Sequence, residues 1–347
     1  MKNKDTSSYK KILIIQTAFL GDVIMSTPLV RAARQTFPDA KIDVLTIPET
    51  AIVFEHNPHV NEILHFDKRQ LRKKLVAFFK VVSQIRSRKY DLAISIQSSM
   101  TSSLLMLLGG VPERTGFARQ KLVTMPVTHK RGYHVRIRYL KLLKYFSDEE
   151  FDAQSELFWT DQEESKAEKL IAECRRNHKF VLGVAPGSIR NTKQYPKHYY
   201  AELLRLLKND EIQVVLFGAK NEQQLCKDIS RDSASDAMVM AGKLSVLESA
   251  ALIEKVDLML TNDSAPLHIA NAVKTDVYAF FGPTVRRFGC YPYRSNDRML
   301  EIELYCRPCS KHGTRKCPES HFRCMLENPP HKIYPQIKAY FKDITTK

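Results

Sequence analysis

The sequence predicts a two-domain α/β fold with parallel sheets. The chain has 347 residues, which is enough for two domains of ordinary size. Short apolar runs alternate with helical stretches through both halves, as in sheets whose strands are joined by crossover helices. The alternation is interrupted at 148–165, where the chain is acidic and polar. We therefore predict domains at 1–165 and 166–328, and a C-terminal helix at 329–347 that packs back on the N-terminal domain.

The elements of the first half follow one another as strand and helix. Each strand is an apolar run ended by polar residues or glycine, and the first helix has Pro28 in its first turn, where proline is tolerated. The predicted strands are Lys11–Thr17, Lys41–Thr46, Ile63–Phe66 and Asp91–Ile96. The predicted helices are Thr27–Phe37, the basic stretch Arg69–Arg86, and Thr101–Leu108.

The same alternation restarts after the boundary, so the second half is read as another Rossmann-like domain. Its predicted strands are Phe180–Val184, Gln213–Phe217, Met238–Met240, Leu258–Leu260 and Val277–Phe281. Its predicted helices are Tyr199–Lys208, Glu222–Arg231, Val246–Glu254 and Pro335–Lys342. In such folds ligands bind at the carboxyl ends of the strands, so the residues that follow each strand are the candidates for function.

Charge is distributed unevenly along the chain. The formal net charge is +16, and residues 1–147 hold 25 Lys and Arg against 10 Asp and Glu. A basic half indicates an anionic partner: nucleic acid, anionic lipid headgroups, or a phosphorylated or carboxylated acceptor. The alternative is an ordinary solvated surface. No apolar run approaches the roughly 20 residues of a membrane helix, so we expect a cytoplasmic protein.

The first strand is followed by a carboxylate. Asp22 comes after Gly21 and is the first acidic residue beyond the strand. It is a candidate general base that takes a proton from an acceptor hydroxyl, although it could equally cap the helix that follows. The loop lacks the glycine pattern of a dinucleotide-binding turn.

Three further strand ends suggest a site for a nucleoside diphosphate. After the strand at 180–184, Gly187 permits close approach of a ligand, Ser188 offers a hydroxyl, and Lys193 can offset diphosphate charge. After the next strand, Glu222 could accept hydrogen bonds from a ribose or simply begin a helix. The stretch 257–270 runs from a strand through Asp263 into a helix start with Pro266, which favours an anion.

Four cysteines lie within nineteen residues near the C-terminus, in the pattern C-x2-C-x7-C-x6-C. They are Cys306, Cys309, Cys317 and Cys324. This spacing is compatible with a structural zinc site, a group of reduced thiols, or disulfides.

Together these motifs resemble the heptosyltransferases of lipopolysaccharide core assembly, which form glycosyltransferase family 9. The order of the motifs and their spacing carry the resemblance, and the cysteine segment is similar to the tail of the heptosyltransferase II branch. The matching stretches are Leu20-Gly21-Asp22-Val23-Ile24, Pro186-Gly187-Ser188 with Lys193, Asn262-Asp263-Ser264-Ala265-Pro266-Leu267-His268, and Phe281-Gly282-Pro283-Thr284. Tyr195 stands where the family usually has tryptophan, and Ala265 where it has glycine; both departures bear on the donor sugar.

The resemblance implies a GT-B fold, in which two parallel sheets face a central cleft. It implies an inverting transfer of heptose, without a catalytic metal, from ADP-L-glycero-β-D-manno-heptose to the inner core. In that scheme Asp22 is the catalytic base. The donor is held by Ser188, Lys193, Glu222, Asp263, Ser264 and His268.

The basic N-terminal domain would then bind an acceptor that carries lipid A phosphates and Kdo carboxylates. Arg114 and Arg119 are our acceptor candidates, because arginine suits bidentate carboxylate contacts. We expect a peripheral protein at the inner face of the inner membrane. The alternatives are a family member that transfers another sugar, and a non-catalytic protein that binds nucleic acid or lipid; no recognised nucleic-acid module supports the nucleic-acid binder.

Overall fold

Two parallel sheets form the scaffold of the protein. The computed structural model describes residues 4–67, 74–129 and 132–346. It divides into two compact units, Met1–Phe158 and Trp159–Lys347, here called the first and second units. Each contains a six-stranded sheet in which every strand pair is parallel. The predicted α/β class is confirmed.

The first unit has the strand order β3-β2-β1-β4-β5-β6. Its strands are β1 (Lys11–Ile15), β2 (Lys41–Thr46), β3 (Glu62–His65), β4 (Leu92–Ser95), β5 (Glu113–Phe117) and β6 (Met125–Val127). Its helices are α1 (Leu20–Ile24), α2 (Thr27–Thr36), α3 (Lys74–Arg88), α4 (Met100–Leu108) and α5 (Val135–Leu140). The start of the predicted helix at 69–86 lies outside the described residues.

The second unit has the equivalent strand order β12-β11-β10-β7-β8-β9. Its strands are β7 (Phe180–Ala185), β8 (Ile212–Leu216), β9 (Met238–Val239), β10 (Leu258–Asn262), β11 (Val277–Phe281) and β12 (Arg298–Glu301). Its helices are α6 (Asp161–Arg175), α7 (Lys197–Leu207), α8 (Gln223–Ser233), α9 (Val246–Lys255), α10 (Ala265–Ala272), α11 (Arg323–Leu326) and α12 (Pro330–Thr345).

The unit boundary falls inside the predicted acidic stretch but earlier than residue 165. The reason is α6, which belongs to the second unit through ion pairs with α9. Glu164 pairs with Lys255, and Lys166 pairs with Glu248 over 2.7 Å. The acidic residues that look like a linker in the sequence are therefore partly the first turn of a packed helix, where carboxylates are favourable.

The C-terminal helix α12 has its apolar face in the second unit. Ile333, Ile337 and Phe341 belong to the core that α7 and the second sheet share, and the ring of Phe341 lies 4.9 Å from that of Phe180. The prediction that this helix packs back on the N-terminal domain is wrong for its buried face. Its apolar spacing correctly predicted a helix, but nothing in that spacing says which sheet receives it.

The order of the strands reverses at one place in each sheet. The reversal lies between β1 and β4 in the first unit and between β7 and β10 in the second. Open parallel sheets bind ligands beyond the carboxyl ends of the strands at such a switch point. Over the described ranges, the structure contains no helix with the length and apolarity needed to span a bilayer.

Candidate active site

Asp22 lies beside the switch point of the first unit. It is in the first turn of the short helix α1, directly after β1, and is partly exposed. Its backbone carbonyl accepts a hydrogen bond from Nε2 of Gln16 (3.2 Å), and the Gln16 side chain is itself fully buried. The turn that carries Asp22 is therefore anchored to the end of β1, while the carboxylate remains within reach of solvent.

The strand ends next to Asp22 are joined by polar side chains that the sequence did not single out. The hydroxyl of Thr17 donates to Oε1 of Gln97 (2.6 Å), which connects the ends of β1 and β4. Nε2 of Gln120 donates to the hydroxyl of Ser95 (2.9 Å), which connects the ends of β4 and β5. These hydrogen bonds give the first unit a polar carboxyl edge suited to a hydroxylated ligand.

The structure separates the two arginines predicted to bind the acceptor. Arg119 is exposed in the turn after β5, at the same sheet edge as Asp22. Arg114 lies near the start of β5, at the opposite edge, and its guanidinium donates to the carbonyls of Leu122 (2.8 Å) and Val111 (2.6 Å). The acceptor assignment of Arg114 is therefore corrected: its donors hold the loops that flank β5.

In the second unit, Glu222 fills space left by two glycines. Its Oε2 accepts from the amide of Ala219 (2.8 Å), which folds the carboxylate back over the ends of β7 and β8. A Cβ at Gly187 would lie 1.9 Å from Oε1 of Glu222, and one at Gly218 would lie 3.2 Å from its Oε2. Glycine at 187 thus leaves the space that the carboxylate occupies, and glycine at 218 allows its close contact.

Lys193 and Asp263 form a buried ion pair at the switch point of this unit. Nζ of Lys193 lies 2.6 Å from Oδ2 of Asp263 and 3.3 Å from its backbone carbonyl. The hydroxyl of Thr284 donates to the same Oδ2 (2.7 Å). Because the carboxylate is 7% exposed and the lysine 15%, the pair is partly desolvated and depends on mutual compensation of charge.

Asn262 holds the loop after β7 in place. Its Nδ2 donates to the carbonyls of Pro186 (2.9 Å) and Gly187 (3.2 Å), and its Oδ1 accepts from the amide of Tyr195 (2.9 Å). The Tyr195 ring stacks on that of Phe280 at 3.7 Å and 5°. The fully buried Asn262, at the end of β10, thus holds both ends of the loop after β7.

The other predicted donor residues lie around the Lys193–Asp263 pair. Ser188 is partly exposed in the loop after β7, and its Oγ lies 3.4 Å from the amide nitrogen of Arg190. Ser264 is the N-cap of α10, and its hydroxyl donates to the carbonyl of Asn262 (3.4 Å). His268 is buried within the first turns of α10. The six predicted donor residues thus gather at one edge of the second sheet, whereas Asp22 belongs to the first unit.

The cysteine segment lies against the same edge of the second sheet. All seven cysteines of the chain are in the described residues and carry free thiols. Burial and the nearby Cys306 and Cys317 raise the pKa of the Cys309 thiol, and burial raises that of Cys324 to about 11. Among residues 4–67, 74–129 and 132–346, no group of three or more His, Cys, Asp or Glu side chains is arranged to hold a metal ion.

A comparison with protein families identifies this arrangement. The family model described as glycosyltransferase family 9 (heptosyltransferase) matches residues 78–319, which include the candidate donor residues. The chain belongs to glycosyltransferase family 9. The protein is also 25% identical over 347 residues to lipopolysaccharide heptosyltransferase 2 of Escherichia coli (strain K12). The alignment covers 95% of this chain and 98% of that protein.

Solved structures agree with this glycosyltransferase in fold. The E. coli ADP-heptose LPS heptosyltransferase II superposes with a TM-score of 0.76 at 23% identity, covering 96% of this chain and 99% of that one. The E. coli heptosyltransferase WaaC with ADP-2-deoxy-2-fluoro heptose gives 0.71 at 16% identity, covering 95% and 99%. The predicted GT-B class is confirmed at the level of two parallel α/β units.

Sequence reasoning missed residues whose contacts come from distant parts of this family 9 enzyme. Arg307 contacts the turn after β11, Thr314 contacts the loop after β7, and His312 lies near Lys193. Thr284, which the sequence did single out, donates to Asp263. Partial burial and the cations Lys311, Lys193 and Arg190 hold the pKa of the His312 imidazole below its usual value, against an opposing effect of Asp263. The basic composition of 311–316 was the one sequence signal available for this group.

Proposed function

We propose that the protein is an inverting heptosyltransferase that transfers heptose from ADP-heptose to the inner core of lipopolysaccharide. The observation that carries the proposal is the Lys193–Asp263 pair at the switch point of the second sheet, with Glu222 folded between two glycines beside it. The Lys193 cation and the start of α10 suit a diphosphate, the Glu222 carboxylate suits a ribose, and Asp263 suits a sugar. The names of the E. coli relatives support heptose as the sugar and ADP as the carrier.

The transfer is a single displacement. Asp22 takes the proton of the acceptor hydroxyl as its oxygen attacks the anomeric carbon. The bond from that carbon to the diphosphate oxygen breaks, and ADP leaves with the electron pair. Lys193, Ser188 and the amides at the start of α10 offset the charge that develops on ADP. Glu222 accepts hydrogen bonds from the ribose, and Asp263, Ser264 and His268 contact the heptose end.

A different donor sugar is the second candidate, because Tyr195 and Ala265 depart from the family pattern. Tyr195 is 2% exposed and stacks in the core, so its change is accommodated away from a ligand. Ala265 is partly exposed at the start of α10 and is the one departure that a donor would meet. The case for another sugar therefore rests on the one methyl group that Ala265 adds to the site.

A donor screen tests the proposed donor. The enzyme is incubated with a lipid A–Kdo acceptor and with ADP-heptose, ADP-glucose, UDP-glucose or GDP-mannose, and release of the nucleoside diphosphate is measured. We expect acceptor-dependent ADP release with ADP-heptose at least 100-fold faster than with the other donors. Turnover with a different nucleotide sugar, and none with ADP-heptose, would contradict the donor assignment and leave the transfer reaction in place.

We further propose that the first unit docks on anionic membrane at the inner face of the inner membrane, where its acceptor resides. This unit holds 25 Lys and Arg against 15 Asp and Glu over residues 1–158. On α3, three large apolar side chains share one exposed face: Leu75 (73% exposed), Val76 (70%) and Phe79 (59%). Apolar groups beside cations suit a surface of anionic headgroups. Arg119 would contact the acceptor's phosphates or carboxylates.

Co-sedimentation with vesicles tests the membrane surface. We expect binding to vesicles that contain 30% anionic lipid, and loss of most of it when Leu75, Val76 and Phe79 are all changed to serine. The change Leu206→Ser, at a similarly apolar exposed site of the second unit, serves as the control. Equal binding by the triple variant would show that this face of α3 is not the docking surface.

The structural zinc predicted for Cys306, Cys309, Cys317 and Cys324 is kept as a proposal separate from the transfer chemistry. The thiols are neighbours, but in the described residues they do not form a metal cage as they stand. No step of the transfer is therefore assigned to a metal. Elemental analysis of the purified protein and of a Cys309→Ser variant tests the proposal: one bound zinc, lost on substitution, is the supporting result.

A further inference from the structure

One donor-site contact comes from the turn after β11. The hydroxyl of Thr284, a residue 3% exposed, donates to the carboxylate oxygen of Asp263 that also pairs with Lys193. A short hydrogen bond to a carboxylate is directional. The place of this turn therefore determines which lone pair of Asp263 remains for Lys193, and hence where the ammonium group points.

The guanidinium of Arg307 donates to two backbone carbonyls of that turn. Its Nε donates to the carbonyl of Gly282 (2.6 Å) and its Nη2 to the carbonyl of Thr284 (3.0 Å). Its other contacts are to the end of β12: Nη1 donates to the carbonyl of Ile302, and Nη2 donates to Oε2 of Glu301 (2.6 Å). The Arg307 side chain is 5% exposed, so its contacts to the three carbonyls are shielded from water, whereas the carboxylate of Glu301 is 35% exposed.

We propose that Arg307 is a positioning residue of the donor site, acting through Thr284 on the Asp263–Lys193 pair. The inference rests on the proposed donor function of that pair. A planar guanidinium can donate in three directions at fixed angles, which a lysine ammonium on a flexible stem cannot reproduce. Arg307 thereby fixes two carbonyls of the turn after β11 against the end of β12. The hydroxyl of Thr284 then stays directed at the carboxylate of Asp263.

The chain beyond Arg307 gives independent support, because it also contacts the loop after β7. Thr314 and Thr192 are joined through both of their main-chain amides: the amide of Thr192 donates to the carbonyl of Thr314 (3.2 Å), and the amide of Thr314 donates to Oγ1 of Thr192 (2.8 Å). Gly313, at φ +78°, approaches Lys193 so closely that an added Cβ would lie 3.0 Å from its Cγ. The segment 307–314 thus contacts both the turn after β11 and the loop after β7.

The test measures ADP affinity by calorimetry in the full-length protein carrying Arg307→Lys, Thr284→Val or both. We expect each single change to raise the Kd for ADP about tenfold, since a buried carboxylate or carbonyl loses a donor. If Arg307 acts through Thr284, the double variant is no more than about threefold weaker than the weaker single variant. The donor KM rises in parallel, while kcat changes less than twofold.

The matched control is Arg175→Lys. Arg175 also bridges two carbonyls, those of Lys179 and Lys255, and the carboxylate of Asp257, but it lies at the opposite edge of the same sheet. The Arg175→Lys variant should bind ADP with a Kd within twofold of the wild-type value. A general structural role for Arg307 predicts instead that the effects of Arg307→Lys and Thr284→Val multiply to about 100-fold, and that outcome overturns the proposal. Unchanged ADP binding by Arg307→Lys overturns it as well.

If Arg307→Lys does not fold, a second variant, Glu301→Gln, still tests the proposal. Glu301→Gln keeps the guanidinium and removes its partly exposed anionic partner. We expect about a threefold rise in the Kd for ADP, and an unchanged Kd would overturn the proposal. Failure of the proposed function is distinguishable from these results, because the wild-type protein would then not bind ADP at all.

Discussion

Replacing Asp22 by asparagine should reduce heptosyl transfer by a factor of about 100 to 10,000, which is the usual contribution of a general base. Asparagine keeps the shape of the side chain but cannot accept the proton of the attacking hydroxyl. The residue lies in the first unit, after β1, whereas the predicted ADP contacts belong to the second unit. ADP affinity measured by calorimetry should therefore stay within about twofold of the wild-type value.

The control for this experiment is Asp39→Asn, at an exposed carboxylate of the same unit. It should turn over at the wild-type rate. If Asp22→Asn retains more than about a tenth of the wild-type kcat, Asp22 is not the base, and a favourable charge in the first turn of α1 becomes the better account of this residue.

Replacing Lys193 by methionine should raise the Kd for ADP about 30- to 100-fold. Two effects act in the same direction. The diphosphate loses a charge-assisted donor, and Asp263 is left as an unpaired buried carboxylate that repels it. Calorimetry with ADP measures the total. Lys208→Met, at an exposed position at the C-terminal end of α7, is the matched control and should have no measurable effect.

The double variant Lys193→Met, Asp263→Asn separates these two effects. It removes the buried carboxylate charge, so it should recover part of the thermal stability lost by Lys193→Met, which is read as Tm. ADP affinity should stay low, because the cation is still missing. Recovery of wild-type ADP affinity by the double variant would mean that Lys193 serves only to neutralise Asp263.

The sequence predicts the fold well where the strands are apolar and buried. β1, β7 and β11 are runs of this kind, and their boundaries agree with the prediction within two residues. β5 was missed because its sequence, Glu-Arg-Thr-Gly-Phe, contains no apolar run; its buried Thr115 is satisfied by the carbonyl of Met125 (3.1 Å). β12 is short and has charged residues at both ends, so it has the same weak signal.

The candidate site could be predicted in part for a topological reason. In a parallel sheet the carboxyl ends of the strands share one edge, so residues that follow separate strands, such as Lys193 and Asp263, must meet. The interactions of arginines follow no such rule. The sequence offers no way to see that Arg114 binds backbone carbonyls at the opposite edge, or that Arg307 reaches Gly282 across 25 positions.

The contact between Glu222 and Gly187 has a consequence for the evolution of this enzyme. Since a Cβ at position 187 would overlap the carboxylate of Glu222 where it now lies, a substitution at 187 would displace that flexible side chain. The two positions are 35 residues apart and belong to different strand ends, yet a change at one alters the place of the side chain at the other. Family 9 relatives with a larger residue at 187 should therefore hold the acid at 222 in another position or replace it.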